Sequence, residues 1–147
     1  MDIVMRPIGV IRSPFTKRDE TPIQAARSQA VGSVEVYPAF AEGLRDLEGF
    51  SHLHLLYAFH ESSGYDLRAK PFLDDQEHGV FATRHPRRPN PIGMSIVRLV
   101  SRQGNVLTVE GVDVLDGTPL LDIKPYVPEF DIRNDVRTGW YETRSQK

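Results

Sequence analysis

Apolar side chains in this chain return at every second position, in runs of four to nine residues separated by stretches rich in Gly, Pro, Asp and Asn. A repeat of two is the period of an extended strand with one buried face, and a helix needs a repeat near 3.6. The runs are Ile8 to Ile11, Gly32 to Tyr37, His52 to Phe59, Val80 to Thr83, Ser95 to Val100, Val106 to Val114 and Leu120 to Lys124. They favour β-branched and aromatic residues, which fit a pleated, half-buried surface. Arg102-Gln103-Gly104-Asn105 predicts a hairpin between two of them. Only Ala39 to Leu47 has helical spacing, with Phe40, Leu44 and Leu47 on one face before Gly49. Many short strands joined by tight turns predict an all-β fold, a single antiparallel β-barrel with one short helix, because closing the sheet removes its exposed edges. With 147 residues, 39% of them hydrophobic and no internal repeat, one domain is expected over residues 1–130, followed by a polar C-terminal tail over 131–147. The Gly139-Trp140-Tyr141 cluster in that tail is too apolar for open water and predicts docking on the body or on a second subunit.

Zero cysteines exclude disulfides, thiolate catalysis and zinc-thiolate sites, and fit a reducing compartment. No apolar run reaches the length of a membrane span, and Met1 to Arg6 lacks the layout of a signal peptide, so a soluble cytoplasmic protein is expected. The formal net charge of −2, from 18 basic and 20 acidic residues, means that contact with nucleic acid must come from a local patch.

Such a patch stands at the Arg84 to Arg88 loop, within the proline-rich stretch Gly79 to Gly93 that carries Pro86, Pro89 and Pro91. Its prolines restrict φ and push the residues before them toward extended geometry, which lowers the entropy lost on binding. Arg84, Arg87 and Arg88 are expected to present planar donor forks that match carboxylate or phosphate oxygens. A second polar run spans Asp113 to Tyr126. Within it Asp116-Gly117 is ordinary turn chemistry. Asp122 and Lys124 share one strand face while Leu121 and Ile123 take the other, and a weak surface ion pair competes there with a catalytic role; Tyr126 is equally ambiguous.

His52 and His54 share a strand face and, with His60, His78 or His85, suggest a metal site; the apolar residues around them favour structural histidines, and no metal is expected. No Gly-x-Ser-x-Gly elbow, P-loop or His-Glu-x-x-His occurs. His60-Glu61 follows a strand end, where polar groups commonly meet ligands.

Five ordered segments resemble a known family. They are Gly9 to Phe15, Leu47 to Leu53, Gly79 to Arg84, Arg88 to Ser95, and Asp116 to Tyr126 with its Asp-Gly-Thr-Pro and Asp-Ile-Lys-Pro-Tyr runs. The family is the TsaA-like one, also called TrmO, and the resemblance covers most of residues 6–130. It implies a non-Rossmann β-barrel methyltransferase that uses S-adenosyl-L-methionine and acts as a homodimer with the cofactor near the subunit interface. The implied reaction methylates N6 of threonylcarbamoyl-adenosine beside the anticodon of a threonine tRNA. The resemblance also implies a cofactor site drawn from Gln24, Ala25, Ala26, His60, Glu61, Arg84, Ile96, Leu115, Asp116, Gly117, Thr118 and Pro119. Longer bacterial members carry a C-terminal domain after the barrel, so the choice of tRNA is not inherited from the resemblance.

The absence of any Gly-x-Gly agrees with a cofactor held without the glycine-rich turn of a doubly wound sheet. Methyl transfer from a sulfonium is an in-line displacement in which positioning dominates, and Asp122 or Tyr126 is the candidate acceptor of the nitrogen's proton. Arg87 and Arg88 are the candidate grips on anticodon-loop phosphates. Two alternatives stay open: a non-catalytic RNA-binding barrel, and a metal-dependent hydrolase on His52, His54 and His60.

Overall fold

The computed structural model describes residues 1–17, 21, 28–72 and 74–144. Six strands close into an antiparallel barrel: β1 (Gly9–Arg12), β2 (Val31–Val36), β3 (His52–Ala58), β6 (Ile92–Gln103), β7 (Val106–Glu110) and β8 (Thr118–Pro125), in the order β1-β2-β7-β6-β3-β8. β8 returns to β1, with Ile11 opposite Thr118 and Gly9 opposite Leu120, so no long edge is left open. The period of two decides which side chains face inward. In β3, Leu53, Leu55 and Tyr57 are buried while His52, His54 and Leu56 stand on the outer wall. Ile11, Val34, Val97, Leu107, Val109 and Leu120 meet them inside, and this shared burial is what holds the barrel together.

The hairpin between β6 and β7 forms as expected, with Gln103 opposite Val106 and only Gly104-Asn105 in the loop. Asn105 also stitches that loop to β2, its Nδ2 donating to the Val36 carbonyl at 2.7 Å and its carbonyl accepting from Val36 N–H at 2.9 Å. At the same end of β6, Arg102 Nη1 donates to the Leu44 carbonyl (3.0 Å) and to Glu48 Oε1 (2.9 Å). A backbone hydrogen bond first, and then the Arg102 guanidinium, hold the Glu48 carboxyl below its ordinary range.

Three local expectations change. The segment predicted as a helix over 39–47 is two 3-10 turns, Pro38–Leu44 and Leu47–Gly49, separated where Asp46 takes a left-handed φ of 72°. Each turn buries one leucine, Leu44 at the end of the first and Leu47 at the start of the second. Val80 to Thr83 is likewise a 3-10 turn, Val80–Ala82, and not a strand: Val80 and Thr83 are buried, Phe81 and Ala82 exposed, and Thr83 Oγ1 donates to the Val80 carbonyl at 2.8 Å. In β8 the pairing with β3 slips between Leu56 and Tyr57, so Leu56 faces Asp122 while Tyr57 faces Leu120. The bulge puts Leu120, and not Leu121, in the core, and restores the expected parity beyond it, with Ile123 inward.

The chain also divides into two compact units. One unit is Met1–His60 with Ile92–Tyr126; the other joins Glu61–Pro91 to Val127–Lys147. The reason lies in pairing: the short strands β4 (Arg68–Ala69) and β5 (His78–Gly79) pair only with each other among the described residues. The C-terminal stretch contributes two single helical turns, α1 (Pro128–Asp131) and α2 (Tyr141–Arg144). Among the described residues no helix is long and apolar enough to cross a membrane.

Candidate functional site

The strand registers bring several candidate residues to one rim of the barrel. β3 ends, β6 begins, β8 begins and β1 ends at that rim, because Ala58 faces Ile92, Tyr57 faces Leu120 and Ile11 faces Thr118. His60, two residues past the end of β3, and Leu115 to Gly117, which lead into β8 at Thr118 and Pro119, therefore share it. The turn there is built by the chain itself. Thr118 N–H and Oγ1 both donate to the Leu115 carbonyl (3.2 and 2.6 Å), and Gly117 supplies the positive φ of 85° that such a turn requires.

Neighbouring loops clamp this turn. Asp116 Oδ1 accepts from Ser13 N–H (3.1 Å), Asp116 N–H donates to the Phe15 carbonyl (2.7 Å), and Gly117 N–H donates to the Ile11 carbonyl (2.9 Å). Ser13 Oγ donates to the Val114 carbonyl and Ser28 Oγ to the Val112 carbonyl. Arg12 stands 4.0 Å from Asp116 and 3.7 Å from Glu35, as exposed pairs of small energetic weight. The Asp116 carboxylate thus works first as a turn lock. Gln24, Ala25 and Ala26 lie outside the described residues.

Beneath the turn runs a buried polar chain that sequence reasoning missed. Ser95 Oγ donates to Asp113 Oδ1 at 2.6 Å, and Tyr57 Oη lies 2.7 Å from Ser95 Oγ. A serine has one proton to give, and it goes to Asp113, so Tyr57 must be the donor to Ser95. All three residues are buried. The available signal was the parity of β3, which sends Tyr57 inward with Leu53 and Leu55 and so requires a buried partner for its hydroxyl.

The outer wall of β8, β3 and β6 gathers the other candidates. Asp122 lies across from Leu56, and Leu56 from Met94; Lys124 lies across from His54, and His54 from Ile96. Asp122 pairs with Lys124 at 3.2 Å, both side chains about half exposed or more, as the weak surface pair that the strand alone suggested. The Tyr126 ring packs on His54 and His52, with centroids 5.5 and 6.3 Å away. Tyr126, Asp122 and Ile96 thus share one face. His52 and His54 are used in these ring contacts, and His52 Nδ1 also meets Ser51 Oγ at 2.8 Å. Among the described residues no group of three His, Asp or Glu side chains is placed to hold a metal ion.

Glu61 and the arginine loop belong to the other unit. Arg84 is exposed. Arg88 turns back on its own loop, Nη1 donating to the carbonyls of Thr83 (2.9 Å) and His85 (3.1 Å). Arg87 Nε donates to Asp66 Oδ2 (3.1 Å), and Nη1 to the Ser63 carbonyl. The picture of outstretched forks is corrected for Arg87 and Arg88: Arg88 braces its own loop, and Arg87 ties the loop to the segment at Ser63 and Asp66. The tail docks in the same unit, with the Trp140 indole stacked on His78.

Comparisons with known proteins agree with this architecture. A Pyrococcus abyssi protein named as a probable S-adenosyl-L-methionine-binding protein is 56% identical over 146 residues, 99% of this chain and 79% of its own length. The human tRNA (adenine(37)-N6)-methyltransferase is 34% identical over 143 residues, 92% of this chain but 32% of that protein. A crystal structure of TrmO superposes with a TM-score of 0.81 at 44% identity, and covers 95% of this chain. TrmO from Pseudomonas aeruginosa superposes with a TM-score of 0.79 at 42% identity. This chain spans 64% and 63% of those two structures. The family model described as the tRNA-methyltransferase O N-terminal domain matches residues 10–132, which include the rim turn, the outer-wall residues and the arginine loop, and the chain belongs to that family.

Proposed function

We propose that this chain is an S-adenosyl-L-methionine-dependent tRNA methyltransferase acting on N6 of adenosine beside the anticodon, with the threonylcarbamoyl-modified base as acceptor. The observation that carries this reading is the family match over residues 10–132, which contains every candidate residue from His60 to Tyr126. The names of the Pyrococcus and human relatives supply the cofactor and the reaction.

The residues present fit such a cofactor. The rim turn offers backbone carbonyls for cationic groups, and Leu115, Phe15 and Phe59 are partly buried apolar side chains of the barrel unit. Arg84, which belongs to the other unit, is proposed as the fork for the carboxylate. When bound, the cofactor supplies an electrophilic methyl carbon. The work of the protein is to hold the acceptor nitrogen in line at about 3 to 3.5 Å and to take up its proton. Asp122, held beside Lys124, and Tyr126, held by the two histidine rings, are the groups proposed for that proton. Homodimer formation belongs to the same reading, and the exposed Met94, Ile96 and Val100 on β6 support it as an apolar strip for a second copy to cover. A cytoplasmic location is likewise part of the proposal.

The test is calorimetric titration with S-adenosyl-L-methionine, followed by labelled methyl transfer to threonine tRNA with and without its threonylcarbamoyl group. Saturable binding and transfer only to the modified tRNA are expected. Equal transfer to both tRNAs would remove the acceptor assignment, and tRNA binding without cofactor binding would leave a non-catalytic RNA-binding barrel.

Arg88→Ala separates the two roles open to that side chain. If it both braces the loop and touches a phosphate, tRNA affinity falls and the slope of log affinity against log salt flattens by about one unit. A weaker affinity at an unchanged slope would assign Arg88 to bracing alone.

A further inference from the structure

The C-terminal segment after residue 132 lies beyond the family match, yet it packs into the unit that carries the arginine loop. Its contact is specific. Trp140 Nε1 donates to the Ala82 carbonyl at 2.8 Å, and the indole lies flat on the His78 imidazole, with centroids 4.9 Å apart and planes 12° from parallel. Tyr141 closes on the indole edge to face at 5.9 Å.

The surface under the indole is itself well tied. His78 Nε2 meets Asp74 Oδ2 at 2.6 Å, and Asp74 Oδ1 accepts from the backbone N–H of Asp75 (2.7 Å) and Gln76 (3.2 Å). His78 and Gly79 form β5, so its backbone is paired with β4. Trp140 therefore joins a fixed platform at His78 to a main-chain carbonyl four residues further on.

That carbonyl stands at the base of the loop. Thr83 N–H donates to the Val80 carbonyl (3.1 Å), Thr83 Oγ1 accepts from His85 N–H (3.3 Å), and Arg88 Nη1 bridges the Thr83 and His85 carbonyls. Arg84 lies between these anchored residues, and the backbone that carries it begins at the Ala82–Thr83 peptide. Ala82 is exposed, and water replaces the indole donor if Trp140 is lost. The global stability effect is then small, whereas the orientation of the loop has no substitute.

We propose that Trp140 is a positioning residue for the Arg84 loop, so that the C-terminal tail of this chain sets the loop's affinity for the cofactor carboxylate. This rests on the methyltransferase reading and on the part it gives Arg84. The tail is a built-in clamp whose indole N–H aims the loop while its ring supplies adhesion.

Two variants of the full chain test this. Trp140→Phe keeps a flat ring for His78 and removes only the donor; Trp140→Ala removes both. For Trp140→Phe the KM for S-adenosyl-L-methionine is expected to rise about fivefold, the cost of one neutral hydrogen bond, with kcat within about twofold and Tm nearly unchanged. Trp140→Ala should raise KM further and speed amide hydrogen exchange at Thr83, His85 and Arg88. An unchanged KM in both variants, or a fall in Tm with no change in exchange over 83–88, overturns the inference. Failure of the unmodified protein to bind the cofactor at all would instead overturn the functional reading on which it rests.

Discussion

Gly93→Ala is expected to destabilise the protein by about 3 kcal/mol, at the upper end of overpacking costs. A Cβ placed on Gly93 would overlap Tyr57 Cε2 and lie 2.7 Å from Phe59 Cζ and 2.8 Å from Tyr57 Cζ. Neither ring can move aside cheaply. Tyr57 is buried, its hydroxyl is bonded to Ser95, and its ring packs edge to face on Phe59 at 5.7 Å. Displacing it breaks the polar chain as well as the packing. For a chain of this length the melting midpoint should fall by roughly 10 °C. Gly43→Ala is the control, since a Cβ there meets nothing within 4 Å, and it should be neutral or raise stability slightly through the unfolded state. Similar midpoints for the two variants would mean that the ring stack yields to the added methyl.

Asp113→Ala is the second change with a large expected effect, about 2 to 3 kcal/mol, because it removes the acceptor that takes the Ser95 proton inside the barrel. Tyr57→Phe should cost about 1 kcal/mol, since it deletes one donor and leaves the Ser95 to Asp113 bond in place. The two are linked through one serine hydroxyl, so urea denaturation of the double variant should show a coupling above about 0.5 kcal/mol. Additive effects would show that the three groups do not act as a chain. The consequence reaches the site, because Asp113 stands two residues before Leu115 and ties the rim turn to the barrel interior. On the proposed function Asp113→Ala should therefore also weaken cofactor binding, read by the same titration, while Tyr57→Phe leaves it nearly intact.

The barrel was legible where neighbours along the chain decide the outcome. Leu53, Leu55 and Tyr57 point inward and His52 and His54 outward because a strand alternates, and Gly104-Asn105 forms the expected hairpin loop. The misread segments are those where another period or another strand intervenes. Val80 to Thr83 contains too few residues to distinguish a repeat of two from one of three, and the burial of Val80 and Thr83 settles it. Nothing in Leu120-Leu121-Asp122 announces a bulge, which exists only as a slip against β3. The candidate site divides in the same way. The family motifs named Leu115 to Pro119 and the arginine loop, but not that Arg88 would fold back on Thr83 and His85.

By itself the sequence determined the all-β architecture, the inward set of side chains and the family, since alternation, turn residues and motif order are properties of consecutive positions. Only the tertiary structure decided that Asp113, Ser95 and Tyr57 form one buried chain, that Asp122 pairs with Lys124, that the Tyr126 ring packs on two histidines, and that Trp140 closes on Ala82 and His78. Most of these contacts join residues far apart along the chain, and all are selected by register, bulge and burial, which no local pattern encodes.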